Sequence, residues 1–270
     1  MIRVIPEIRA KALEALGADL ASAWVTHRVL PLRASDSLPQ DRTEAYFVQD
    51  YMAEMLSLDQ SGWKVGATSQ KMRELDGHSD VIPGRVFAPK TWLGSNVSIP
   101  ADSLTGARAE TEFAFRLTRD LPLRSDPWKA EEIASYAVLH PAIEIIGNRF
   151  DLPEAPREMC SLMTIADNGG GIGFVFGNPV TDWHGVDFQS HAVKLTVDDG
   201  YPAENFLGEM RCVPINAMAD LANHLATRGV ALSEGDFVST GAATVPQPVK
   251  KGSRVHADFG RLGQIQLEFT

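Results

Sequence analysis

The sequence predicts an α+β fold: a helical amino-terminal part over residues 1–60, then a β-rich body over residues 61–270. Two observations carry this. Up to about residue 60 the apolar residues recur at three- and four-residue spacing, the period of one helix face. From Gly62 onward the apolar runs are short or alternating and are separated by Gly, Pro, Asp and Ser clusters, the punctuation of strands and turns. At 270 residues one large domain with a helical cap can bury a sizeable core, so a second unrelated domain is not required.

Taken in order, residues 7 to about 27 place Ile8, Leu13, Leu16, Leu20 and Trp24 at helical spacing, with Pro6 suited to a first turn. A second helix is expected from residue 41 to about 56, with Tyr46, Phe47, Met52, Met55 and Leu56 as core contacts. The body then reads as strand-like runs: GWKVGAT, RVFAP, ETEFAFRLT, AIEII, GIGFVFG, AVKLTV, DFVSTG, RVHADF and QIQLEF. Turn residues at 198–200 (DDG) and 260–263 (GRLG) signal hairpins. Two helices interrupt the body, near 129–137 and 216–227, the second with Met218, Leu221, Ala222 and Leu225 on its inward stripe. There is no internal repeat and no low-complexity linker.

Apolar residues at 44% and charged residues at 22% place the chain with ordered globular proteins rather than disordered ones. A net charge of −10 without clustered Lys and Arg argues against nucleic acid as partner. Cys160 and Cys212 are too few for a disulfide framework or a cysteine zinc site, which fits a reducing cytoplasm. The first residues carry scattered charges and no later run is long enough for a membrane span, so a soluble cytoplasmic protein is expected.

The chemistry begins at ARAETEFAFRL, residues 107–117. In a strand Glu110 and Glu112 share one face with Ala114, while Thr111, Phe113, Phe115 and Leu117 share the other. Two neighbouring carboxylates repel and raise each other's pKa unless a cation lies between them, and a bare pair of this kind also suits a solvated strand face. Glu144 adds a third acid within HPAIEIIGN, flanked by Ile143, Ile145 and Ile146, where an unpaired charge is costly. Three glutamates without a nearby cysteine pair suggest an all-oxygen site for magnesium or manganese rather than zinc.

Glu110-x-Glu112 followed by Glu144, with GWKVGATS before and TIADNGGGIGFVFG after, resembles the fumarylacetoacetate hydrolase superfamily. The similarity is greatest to its branch of 2-hydroxy-2,4-dienoate (2-keto-4-pentenoate) hydratases and 4-oxalocrotonate decarboxylases, and it spans nearly the whole chain to the closing GSRVHADFGRLGQIQLEF. The resemblance implies a mixed β-roll body, Glu110, Glu112 and Glu144 as ligands of Mg²⁺ or Mn²⁺, and Lys64 projecting into the same pocket. It also implies a small 2-oxo or 2-hydroxy acid substrate and a homo-oligomer, dimer or larger. The expected reaction is hydration of a 2-hydroxy-dienoate in the degradation of aromatic compounds. Decarboxylation comes second, then C–C hydrolysis or tautomerisation, and a degenerate member that only binds ligand stays open.

Two positions depart from the branch. A Pro-Asp-Phe/Tyr-Gly stretch is usual where this chain has Val81-Ile82-Pro83-Gly84; Asp80 is the nearest acid to stand in for it. Ser-Gly-Ser is common where it has Thr240-Gly241-Ala242, leaving Thr240 as the substrate-facing hydroxyl.

Strand alternation points Lys64 away from Trp63 and Val65, toward solvent or toward a pocket, and a dry pocket would depress its pKa. The glycines of IADNGGGIGFVFG invite a dinucleotide-binding reading, which the β-like continuation excludes. Instead the loop suits backbone amides approaching a substrate carboxylate at Gly169, shaped by Asp167 and Asn168, or a plain tight connection. His78 sits in a loop over the expected site, and His140 reads as a ligand, a base or a structural histidine. No nucleophile elbow and no His-x-x-Glu pair of the C–C hydrolases is present.

Overall fold

The computed structural model describes residues 5–34, 37–101 and 106–270. Helices α1 (Glu7–Thr26) and α2 (Arg42–Leu56) pack against each other, and the chain between them carries a two-residue strand, β1 (Leu30–Pro31). The Asp41 side chain caps α2 by accepting from the Glu44 amide, and Glu44 in turn receives two hydrogen bonds from Arg9 of α1, at 3.1 and 2.6 Å. The expected stripe holds except at Ile8 and Met55, which are exposed at 88% and 55%.

The body runs β2 (Gln60–Gly66), α3 (Gln70–Asp76), β3 (Ile82–Phe87), β4 (Thr91–Leu93), β5 (Asn96–Ile99), β6 (Arg108–Leu117), α4 (Ala130–Ala134), β7 (Ala137–Ile146) and β8 (Phe150–Asp151). It continues with α5 (Arg157–Ala166), β9 (Gly171–Phe176), β10 (Lys194–Val197), α6 (Pro214–Thr227), β11 (Phe237–Ala242), β12 (Gln247–Pro248), β13 (Arg254–Asp258) and β14 (Gln264–Phe269). A mixed, curled sheet has the order β3-β2-β11-β6-β7-β9-β4, with β12 also on β6. A four-stranded sheet has the order β10-β13-β14-β5, and β1 pairs with β8. The GRLG turn closes the β13–β14 hairpin as expected. The DDG turn reverses the chain, but β10 takes its ladder from β13, not from the returning segment.

Alternation decides how the curled sheet is used. Trp63, Val65, Phe113, Phe115, Leu139, Ile143 and Val238 point into the main core, shared with α6 and the four-stranded sheet. Fully burying each such side chain contributes about 1.5–3 kcal/mol. The opposite face holds a small apolar cluster, including Ala114, Ala142, Phe174, Phe176 and Phe237, and beside it the acidic residues. A further core joins Leu13, Leu20, Val48 and Met52 of α1 and α2 to Phe150, Leu152 and Met163, so the helical part packs on residues from the body.

Candidate metal centre

The ladder between β6 and β7 places Glu110 directly opposite Glu144 and Glu112 opposite Ala142. Because Glu110 and Glu112 lie on the same face of β6, the three carboxylates converge; one oxygen from each lies within 4.8 Å of the others, and all three residues are buried. Neighbouring ligands of an octahedral Mg²⁺ stand about 3 Å apart and opposite ones about 4 Å, as follows from Mg–O distances of about 2.1 Å. The triad is therefore of the right size for a hard dication.

Electrostatics supports the same conclusion. Burial and then Glu112 push the Glu110 carboxyl up to about 8, and burial raises Glu144 well above the carboxylate range although Lys64 opposes it. Glu144 Oε1 is enclosed and has no hydrogen-bond partner among the described residues, only the Lys64 ammonium at 3.3 Å. One lysine does not offset three carboxylates from which water is withheld; the donor set fits a divalent cation.

Each neighbour has a defined task. Glu112 Oε2 accepts from the Ser239 hydroxyl at 2.5 Å and from the Gly241 amide at 2.9 Å, which aims its carboxylate. Lys64 Nζ donates to the Gly169 carbonyl at 2.7 Å. Burial works against the Lys64 charge, but Glu144, Glu112 and Glu110 outweigh it, and its pKa rises; it does not fall as the dry-pocket expectation had it, because the lysine is itself the counter-charge to the acids. Gly84, opposite Lys64 in the β2–β3 ladder, lets the Asn168 backbone approach: a Cβ there would stand 2.3 Å from the Asn168 carbonyl oxygen.

The other expected residues divide. His78 lines the same cavity of about 270 Å³ as Lys64, Glu110 and Glu112, and its Nδ1 contacts the Ser161 hydroxyl. Asn168 is fully buried, but both ends of its amide bond the backbone of Arg85, at 2.6 and 2.8 Å, so its side chain fixes the loop and only the loop's Gly169 reaches Lys64. Asp80 lies outside the cavity wall, half exposed and hydrogen-bonded to His224 of α6 at 2.8 Å. Thr240 is turned the other way: its hydroxyl donates to the Phe113 carbonyl at 2.5 Å. The hydroxyl that reaches the acids belongs to Ser239, which pairs with Ala114 on the glutamate face. The regular part of the β11–β6 ladder, with Val238 opposite Phe115 and Ser239 opposite Ala114, makes this face assignment, and only the two-residue alternation of DFVSTG hinted at it. His140 is buried with Nδ1 at 2.7 Å from the Gly177 carbonyl, a structural histidine.

No protein-family model matches the chain. Among curated proteins, the TodF product hydratase of Pseudomonas putida is 30% identical over 216 residues, 77% of this chain and 76% of its own length. The chain belongs to the 2-keto-4-pentenoate hydratase and 4-oxalocrotonate decarboxylase branch of the fumarylacetoacetate hydrolase superfamily. A 2-keto-4-pentenoate hydratase of Paraburkholderia phymatum shares 27% identity over 96% of this chain and 97% of its own. The fold agrees: a 4-oxalocrotonate decarboxylase from Pseudomonas putida G7, solved with magnesium and adipate, superimposes with a TM-score of 0.83 at 21% identity, covering 99% of this chain and all of that one. Among the described residues no helix is long and apolar enough to cross a membrane.

Proposed function

We propose that this member of the branch is a divalent-metal-dependent hydro-lyase that adds water to a small 2-hydroxy-2,4-dienoate, giving a 4-hydroxy-2-oxo acid. The observation that carries the reading is the convergence of three buried glutamates beside Lys64, with Lys64, Glu110 and Glu112 lining one small cavity. Glu110, Glu112 and Glu144 would hold Mg²⁺, or Mn²⁺ in its place, which would supply Lewis acidity toward a 2-oxo acid. Lys64, fixed by Gly169 and charged, faces the anionic end of the substrate and balances the charge that develops there. Ser239 and the Gly241 amide hold the Glu112 carboxylate in position. Away from the acids, Met72, Ile146, Phe206, Met210 and Pro246 form an apolar wall that excludes water and suits a short hydrocarbon tail. The setting is the cytoplasmic breakdown of aromatic compounds.

One observation favours a second reading, decarboxylation of a dicarboxylate. The cavity abuts a wider cleft through Thr68, Ser69 and Cys212, and that cleft carries the cations Lys71 and Arg73. The two readings separate on freshly generated 2-hydroxypenta-2,4-dienoate with Mg²⁺. Loss of the dienol ultraviolet absorbance is expected, together with at least a hundredfold drop in kcat/KM for Lys64→Ala, within the range for removing a charge stabiliser. Carbon dioxide release from an oxalocrotonate-type diacid, with no turnover of the dienoate, overturns the hydratase reading.

A further inference from the structure

We propose that His78 is the residue that moves the proton during hydration, an assignment that rests on the hydratase reading above. Ile82, opposite the cavity-lining Gly66 in the β2–β3 ladder, is apolar and buried against Ala45, Tyr46 and Ile165, so β3 brings no acid to the cavity at this position. The chain therefore needs another proton carrier. Lys64 is committed to the Gly169 carbonyl and to Glu144, and the three glutamates form the metal site. The Cys212 thiol is buried and turned to the Gly241 carbonyl, and Asp80 is paired with His224 outside the cavity. Among the described residues that line the cavity, His78 is the remaining side chain able both to accept and to return a proton.

Its setting suits the task. Nδ1 contacts the Ser161 hydroxyl of α5, a partner able both to give and to accept a hydrogen bond, so either tautomer is supported. Nε2 makes no hydrogen bond among the described residues and is not enclosed, and the residue itself lines the cavity. Burial, then the charges of Arg42 and Lys64, lower the His78 pKa to about 4, so the ring is neutral and ready to accept. As water adds to the 2-oxo-3-enoate, Nε2 takes one of its protons while the oxygen bonds to C4 and the C3–C4 π pair moves into the enolate. The imidazolium then returns that proton to C3. H and OH have been added across one double bond, and the imidazole ends neutral.

The test compares wild type, His78→Gln, His78→Ala and Ser161→Ala on 2-hydroxypenta-2,4-dienoate with Mg²⁺, with calorimetric Mg²⁺ binding measured on each. For His78→Gln, kcat is expected to fall by about 10² or more, the usual size of a general acid–base contribution, with KM and metal affinity unchanged. Added imidazole restores activity to His78→Ala. A His78→Gln variant within tenfold of the wild-type kcat overturns the assignment. Should both histidine variants lose metal binding, Ser161→Ala decides: a lowered kcat with normal metal binding supports the proposal, and an unchanged kcat overturns it. Wild type that leaves the dienoate untouched sinks the hydratase reading itself, an outcome distinct from an active wild type matched by its histidine variants.

Discussion

At the scale of single residues, the site is defined by charge that folding has concentrated. Glu110 is the clearest case, pushed up to about 8 by burial and by Glu112. Its folded pKa lies above the ordinary carboxyl value. Without metal, its contribution to stability is therefore complete below about 4.5 and is lost as pH rises through about 8. A dication needs the ionised form, so binding at neutral pH must expel a proton. Mg²⁺ affinity should thus rise between pH 6 and 8, by at most about tenfold per unit for one proton. Calorimetry in two buffers of different ionisation heat reads the released proton directly. Affinity that stays flat across this window, with no proton release, would show that the acids are not the ligands. On the same scale, the common face of Glu110 and Glu112 and the direction of Lys64 were legible from strand alternation, and Glu144 from its isoleucine flanks. Ser239 was not, because alternation separates two adjacent hydroxyls but only the pairing of β11 with β6 decides which of them faces the acids.

At the scale of elements, the loop after α5 is the joint on which Lys64 depends. Asp167, fully buried, accepts from the Arg149 amide at 2.7 Å and from its Nε at 2.6 Å, while the Arg149 guanidinium lies over the Trp24 ring of α1, 4.1 Å from its centre. The N-terminal helices thereby brace the segment that presents Gly169 to Lys64. Burial raises the Asp167 pKa and Arg149 opposes the rise, so removing the arginine strands an acid in the interior. Arg149→Met is expected to destabilise the protein by about 3–5 kcal/mol, the usual effect of breaking a buried pair from one side. Urea unfolding measures it, and a loss below about 1 kcal/mol would mean that the pair is not needed to hold the loop. The sequence reading did not include α5 or α3. Arg157–Ala166 is a ten-residue helix between a proline and a glycine run, too short for its Met159, Met163 and Ala166 stripe to stand out. Gln70–Asp76 is shorter still, and its signal is the Ser69 cap, whose side chain accepts from the Met72 amide.

At the scale of the whole molecule, the four-stranded sheet leaves β10 and β5 as edges and carries polar side chains such as Thr196, His256, Gln266 and Glu268 along an open groove. Unpaired edges of this kind are usually covered or blunted. We propose a homo-oligomer, dimer or larger, assembled through the β-rich body. Sedimentation velocity at micromolar protein is expected to show a species of at least twice the 29.4 kDa chain mass. A single species at the chain mass would remove the proposal. The boundary near residue 60 separates helices from strands, but the core formed by α1, α2, Phe150, Leu152 and Met163 draws on both sides of it.

Local sequence determined the strands, the two long N-terminal helices, the helix near residue 220 and the common face of Glu110 and Glu112, because periods of 2.0 and 3.6 residues are properties of neighbouring residues. It carried no information on register. Tertiary pairing set Glu144 opposite Glu110, took the Thr240 hydroxyl out of the site and brought Ser239 in, sent Asp80 to His224, and set His78 on the cavity wall. A one-residue slip between strands reverses every face while leaving each strand's own pattern intact, so only the folded ladders decide which side chains meet.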